Sequence, residues 1–226
     1  MPTRKQSPAK TETRGPTTSG TDGGRSDRTL RRQGEATRAK LLATVPALAQ
    51  IGFQGARVDD VVRLAGVSHG TFYLYFSNKE DLFRAAARQC AEEAATLAAS
   101  LGRVAPGAAG HEALRAWLGG FIDFYRRYGV VVRAWTENQV ADRELARLGT
   151  KSFGRIVQTL RVAMAEGSDA TPRDIELRAT ALLALVERFS YIVTSRDLGF
   201  DDATMIDNLA VFVQRGFFAP RAERAA

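Results

Sequence analysis

The sequence holds one cysteine, Cys90, and two histidines, His69 and His111. A lone thiol cannot build an internal disulfide framework, and its use fits a reducing cytosol. One cysteine and two histidines also make a structural zinc site improbable. There is no Cys–His or Ser–His arrangement and no phosphate-binding glycine loop, so general-base candidates are scarce. Neither an enzyme nor a cofactor is expected. No apolar run approaches the ~20 residues of a membrane span. The basic N-terminus lacks the apolar stretch of a secretory signal, so the expected location is cytoplasmic. Period-two alternation is missing beyond residue 100, and no internal repeat occurs.

What the chain does have is length, apolar content and positive charge. Its 226 residues, 45% of them hydrophobic, suffice for one large domain or two modest ones. Of the formal net charge of +7, five units lie in residues 1–33, where eight Lys or Arg face Glu12, Asp22 and Asp27. Such an arm concentrates a protein near a polyanion, although a solvated tail would look the same. Residues 1–33 are rich in Thr, Ser, Gly, Pro and Arg, and Leu30 is their one large apolar residue after Met1. They cannot bury enough surface to offset chain entropy and are expected to be a disordered basic arm.

Helical spacing begins near Glu35, with Leu41, Leu42, Val45, Leu48 and Ala49 in register as far as about Gly52. Pro46 falls inside that pattern, where the continuing stripe predicts a kink rather than a break. Next, Val58, Val61, Val62 and Ala65 make a short apolar face, with Asp59 and Asp60 in the dipole-favoured first turn. Gly66 supplies a tight turn, Val67 a buried plug and Ser68 the cap of a further helix, predicted over about 69–75. Two short helices joined by a glycine-containing turn are the helix-turn-helix pattern. "SNKE", residues 77–80, reads as a capping box opening a long helix to about Ser100.

The predicted reading helix carries Phe72, Tyr73, Tyr75 and Phe76 within five positions. Phe72 and Phe76, four apart, share a face that packs on the domain. His69, Thr71, Tyr73 and Tyr75 point elsewhere, and such side chains suit phosphates, base edges and thymine methyls. Gly70 removes a side chain where the helix must come close to a surface. Lys79, beside the free N–H groups of the next helix, would meet a phosphate.

Residues 52–83, "GFQGARVDDVVRLAGVSHGTFYLYFSNKEDLF", closely resemble the DNA-binding domain of TetR/AcrR-family transcriptional repressors. The Gly-Val-Ser turn, the Gly-Thr pair, the Tyr-x-x-Phe spacing and the following Lys-Glu carry the likeness, which runs from about Thr37 to Phe83. It implies that Ser68, His69, Gly70, Thr71, Tyr73 and Tyr75 face an operator and that Lys79 grips phosphate. Arg57 stands where the family usually has a Ser or Thr cap, so a phosphate-bound arginine would hold that helix start. The implied fold is all-α. A three-helix DNA-binding domain (34–81) joins a larger ligand-binding and dimerisation domain (82–226), and the partners are double-stranded operator DNA, a small effector and a second copy.

Beyond residue 100 the resemblance is architectural. Family members dimerise through their last two helices, here about 173–195 and 202–218, which nominates Val186, Val193, Leu209, Phe212, Val213 and Phe217 for the interface. These segments are apolar on more than one face, a surplus that a two-fold four-helix bundle would cover. Trp117, Phe121, Phe124, Tyr125, Trp135, Phe153, Met164, Phe189 and Tyr191 give more bulk than thin helices need and suggest an apolar pocket. Glu187 lies either on its wall or in a salt bridge with Arg188. The expected function is a ligand-responsive repressor bound as a homodimer to a palindromic operator. The alternative is a DNA-binding regulator without a small ligand, governed by a protein partner.

Overall fold

A computed structural model describes residues 23–49, 51–136, 142–165, 168 and 170–218. Residues 1–37 and 38–226 form two units, each considered by itself. Among the described residues the regular structure is helical, with no strand. The helices are α1 (Gly23–Leu42), α2 (Gly52–Gly55), α3 (Val58–Ala65), α4 (His69–Tyr73), α5 (Lys79–Ser100), α6 (Ala108–Thr136), α7 (Arg143–Ala165), α8 (Pro172–Ser195) and α9 (Asp202–Val213). A 3₁₀ turn spans Val45–Ala49 and one turn of π-helix spans Gln214–Phe218.

The first helix corrects two expectations. It starts at Gly23 rather than near Glu35, so residues 23–33 are helical and not part of a disordered arm. Leu30, Gln33, Glu35 and four arginines between Arg25 and Arg32 are good helix formers, and propensity there outweighs the lack of an apolar face. Residues 1–22 lie outside the described part. At the other end the chain breaks rather than kinks at Pro46. A proline ring clashes with the carbonyl four residues back. That residue is Leu42, where α1 ends. The buried Thr44 closes the end by donating its hydroxyl to the Leu41 carbonyl at 2.7 Å.

In the second unit the long α6 is the central element, packing against α5, α7, α8, α9 and the 3₁₀ turn. One continuous set of buried side chains runs from Leu41 to Val213. The boundary expected at 81/82 therefore falls inside α5 and inside that core. Polar cross-links fix the helices around the core. Arg84 and Arg88 of α5 reach Asp142 (2.8 Å) and Glu144 (2.7 Å) at the start of α7. Arg126 of α6 meets Asp202 of α9 at 2.6 Å, and Arg115 and His111 converge on Asp207 at 3.2 and 3.0 Å. Thr171 caps α8 by accepting from the Asp174 N–H, with Pro172 in the first turn, where no N–H is missed.

Candidate functional site

The segment from α3 to α5 is assembled by backbone capping around two rings. α3 ends at Gly66, whose φ of +60° is the left-handed turn that favours glycine. The Val67 N–H then donates to the Val62 carbonyl at 3.1 Å, closing the helix end and directing the chain into α4. Ser68 caps α4, its Oγ accepting from the Thr71 N–H at 3.0 Å and sharing a hydrogen bond with Thr71 Oγ at 2.9 Å. Phe72 is 0% exposed and Phe76 is buried, with ring centroids 5.9 Å apart. The Arg38 guanidinium covers the Phe76 ring at 5.5 Å.

The same helix turns other side chains outward. Tyr73 is 57% exposed, its ring edge-on to Phe72 with centroids 5.3 Å apart. Ser68, His69 and Gly70 are exposed, whereas Thr71 and Tyr75 are half-buried. Tyr75 packs in part against the core, so it is less free than Tyr73. His69 is held by Asp59 of α3, with Nε2 and Oδ1 2.6 Å apart. Leu74, at 80% exposed, was not singled out from the sequence, and Asp59 was read there only as a first-turn anion and not as the partner of His69. The absence of Leu74 from the Phe72–Phe76 stripe was the available signal.

Two residues make contacts within the chain that the sequence did not predict. Arg57 is exposed, but Asp60 caps α3, accepting from the Arg57 N–H at 3.1 Å and from Arg63 at 2.9 Å. The Arg63 hydrogen bond, then that from the Arg57 backbone, hold the Asp60 carboxyl below its usual range. No phosphate is needed to start that helix. The Lys79 ammonium, expected on phosphate, instead donates to the carbonyls of Gln54 (3.1 Å) and Ala56 (3.0 Å). It clasps the end of α2 to the start of α5, because carbonyls left over at a helix end are ready acceptors for a cation. The cap of α5 is Asn78, one residue beyond Ser77, which the predicted "SNKE" box would make the cap. Asn78 accepts from the Asp81 N–H at 2.8 Å, and Asp81 accepts from both Ser77 N and Ser77 Oγ at 3.1 Å.

A cavity of about 490 Å³ lies among α5, α6, α7 and α8. Of the side chains expected at a pocket, Phe121, Phe124, Trp135, Phe153 and Glu187 line it. Trp117, Met164, Tyr125, Phe189 and Tyr191 do not. Trp117 and Met164 are buried core, and the Trp117 indole donates to the Leu97 carbonyl at 2.9 Å. Tyr125 stands behind the wall, donating its hydroxyl to Glu187 Oε1 at 3.2 Å. Burial first, and then the Glu187 charge, push the Tyr125 phenol up from its ordinary value. Phe189 faces a different groove. Ile156 and Cys90 were missed as lining residues. Burial raises the Cys90 thiol, which keeps it protonated. Gly149 permits the Trp135 wall, since a Cβ there would stand 2.7 Å from the indole ring.

The nominated dimer residues also need correction. Val186, Val193, Leu209 and Val213 are buried within their own chain, which leaves them little surface to offer a partner. In α9, Leu209, Ala210 and Val213 turn inward, while Phe212 is 71% exposed and Phe217 half-buried. Leu185, Leu198 and Phe200 are also exposed, and with Phe189, Met205 and Phe212 they line an apolar groove.

This architecture, a capped helix-turn-helix with an outward-facing helix on an all-α body, defines a helix-turn-helix regulator. Residues 41–86 match the family model for bacterial regulatory proteins, tetR family. The HTH-type transcriptional regulator YhgD of Bacillus subtilis (strain 168) is 24% identical over 195 residues, 80% of this chain and 97% of that protein. The fatty acid degradation regulator FadR from Bacillus halodurans superposes with a TM-score of 0.59 at 17% identity, over 80% of this chain and 96% of its own. The TetR-like regulator LfrR from Mycobacterium smegmatis, solved with proflavine, gives 0.58 at 23% identity, over 82% and 98%. Residues 41–86 therefore carry a domain like that of the tetR family of bacterial regulatory proteins, and the described chain shares the fold of the solved proteins named above. Among the described residues no helix is long and apolar enough to cross a membrane.

Proposed function

We propose that this regulator is a cytoplasmic, ligand-responsive repressor that binds a palindromic operator as a homodimer. The outward side of α4, carrying Ser68, His69, Gly70, Thr71, Tyr73 and Tyr75, enters the major groove, with Arg57 at a flanking phosphate. The Lys79 ammonium is left out of this interface, being engaged with carbonyls of its own chain.

The observation that carries the reading is at Gly70. Its φ is ordinary for a helix, and an added Cβ would meet only Ser68 Oγ, at 3.7 Å. Nothing in the described fold requires glycine there, although glycine costs a helix up to about 1 kcal/mol relative to alanine. The need then comes from outside, as it would where the helix backbone presses on a base edge. Two-fold pairing through the groove of Leu185, Phe189, Leu198, Phe200, Met205 and Phe212 covers an apolar surface and sets two reading heads on one DNA face. The cavity supports control by a small apolar or amphipathic effector, since its volume lies in the usual range for small-molecule sites. That open space speaks against control by a protein partner alone. Effector release then works by population shift, the ligand favouring a conformation whose two heads no longer match successive grooves.

The test is Gly70→Ala, with the operator first obtained by selection from a random duplex pool. Thermal melts should change by no more than roughly 0.5 kcal/mol or rise slightly, while operator affinity falls at least ~10-fold. Unchanged affinity would remove α4 from the groove.

A further inference from the structure

Resting on the reading of the cavity as the effector site, we infer that the effector is a lipophilic monocation. Its charge pairs with Glu187 and its apolar body lies among Phe121, Phe124, Trp135 and Phe153. Glu187 is the one charged side chain lining the cavity among the described residues, and its side chain is only 15% exposed. The Tyr125 hydroxyl serves Oε1 at 3.2 Å. Arg188 forms a loose ion pair with Glu187, its Nε 3.8 Å from Oε2 and beyond hydrogen-bond reach, and is itself 53% exposed. Arg188 and Arg133 both stand over the Tyr191 ring, at 5.0 and 5.7 Å, and neither lines the cavity.

The chemistry of the wall then selects by charge. A carboxylate drawn partly out of water attracts a cation strongly, because the same separation is worth far more where water is displaced. Aromatic faces add to this, since the ring quadrupole is negative above its plane. An anionic ligand would bring a second negative charge to Glu187 with no cationic side chain on the described wall to meet it. A neutral ligand would displace water from the carboxylate and return at most one hydrogen bond, without the opposite charge.

The experiment uses three probes that share one ring and differ in charge: 1-pyrenemethylamine, protonated at neutral pH, 1-pyrenemethanol and 1-pyrenecarboxylate. Each is titrated into the full-length protein and followed by quenching of tryptophan emission. The ammonium should bind at least ~10-fold more tightly than the alcohol, and the carboxylate should bind most weakly. Glu187→Gln, close in shape, should bring ammonium and alcohol to equal affinity while leaving that of the alcohol unchanged. Tyr125→Phe, which frees Oε1, should keep or widen the parental preference. If the parent binds the alcohol as tightly as the ammonium, or the carboxylate most tightly, the ligand class is wrong although the cavity stands as an effector site. A preference that survives Glu187→Gln would overturn the role of that carboxylate. Failure of all three to bind would end the cavity reading, and this inference with it.

Discussion

Helices α4 and α9 both carry large apolar residues, and the protein sorts them in different ways. In α4 the pair four apart turns inward with its polar neighbours outward, so Phe72 is buried and Tyr73 exposed. In α9 apolar residues surround the axis. Val213 is 0% exposed while Phe212, one position earlier, is the most exposed side chain of that helix among the large apolar ones. The difference teaches that a polar residue beside an apolar one marks the outer face, and that a helix apolar all round hides its orientation. An outward face of that second kind is what a partner subunit would cover.

The widest separation should come from neighbouring substitutions in α9. Val213→Glu places a charge in the interior without a counter-ion, costing several kcal/mol, and the chain should lose its cooperative melt. Phe212→Glu, on the outside, should keep helicity and melting but sediment as a monomer. That monomer should lose ~10²–10⁴-fold in operator affinity as the second head is untethered. A folded Val213→Glu protein would mean that the inward and outward faces of α9 have been exchanged. A Phe212→Glu dimer would place the interface away from this groove.

In α4 the contrast is between rings. Phe72→Ala should cost about 3–5 kcal/mol, because it empties the centre of a small packed head. Tyr73→Ala should stay within roughly 0.5 kcal/mol in stability and weaken operator binding instead. Equal losses of stability in chemical denaturation would show that Tyr73 is a packing residue despite its exposure.

Much of the reading head was legible because it rests on short-range rules. The left-handed Gly66, the Ser68 cap and the Phe72–Phe76 pair each follow from residues within a turn of one another. What the sequence did not reveal there depended on partners far along the chain. The Lys79 ammonium is occupied by carbonyls 25 and 23 residues earlier, which no local pattern marks. In the body, aromatic content pointed to a cavity but could not say which rings would face it. Trp117 went to the core through its bond to Leu97, whereas Trp135 went to the wall because Gly149 makes room on α7. The failure at Pro46 was of another kind. The stripe continued beyond the proline, and steric conflict with Leu42 outweighed the stripe.

Lys79→Ala sharpens the comparison at a smaller scale. Losing a cationic clasp of two hydrogen bonds should cost about 1–3 kcal/mol of stability. The salt dependence of DNA binding should be unchanged, whereas removal of a phosphate contact would lower the log-log slope by about one unit. A reduced slope with unchanged melting would return Lys79 to the phosphate role that its position in the motif suggests.

The smallest effect concerns the junction of α5 with α7, held by charge rather than rings. Asp142 accepts from Arg84 Nε at 2.8 Å and from the backbone N–H groups of Glu144 (2.8 Å) and Leu145 (3.3 Å). The Arg84 hydrogen bond, then that of the Leu145 backbone, lower its carboxyl from the ordinary 3.8. Because the folded value is the lower one, the carboxylate contributes stability above about 3.8, and that contribution is lost as pH falls through the folded value. Asp142→Asn isolates the charge, since asparagine caps a helix as well as aspartate does. The variant should melt slightly below the parent at neutral pH, and the gap should close as the pH drops below the ordinary carboxylate value. A gap of constant size from neutral to acid would show that the shape of the Asp142 cap, and not its charge on Arg84, joins the two helices.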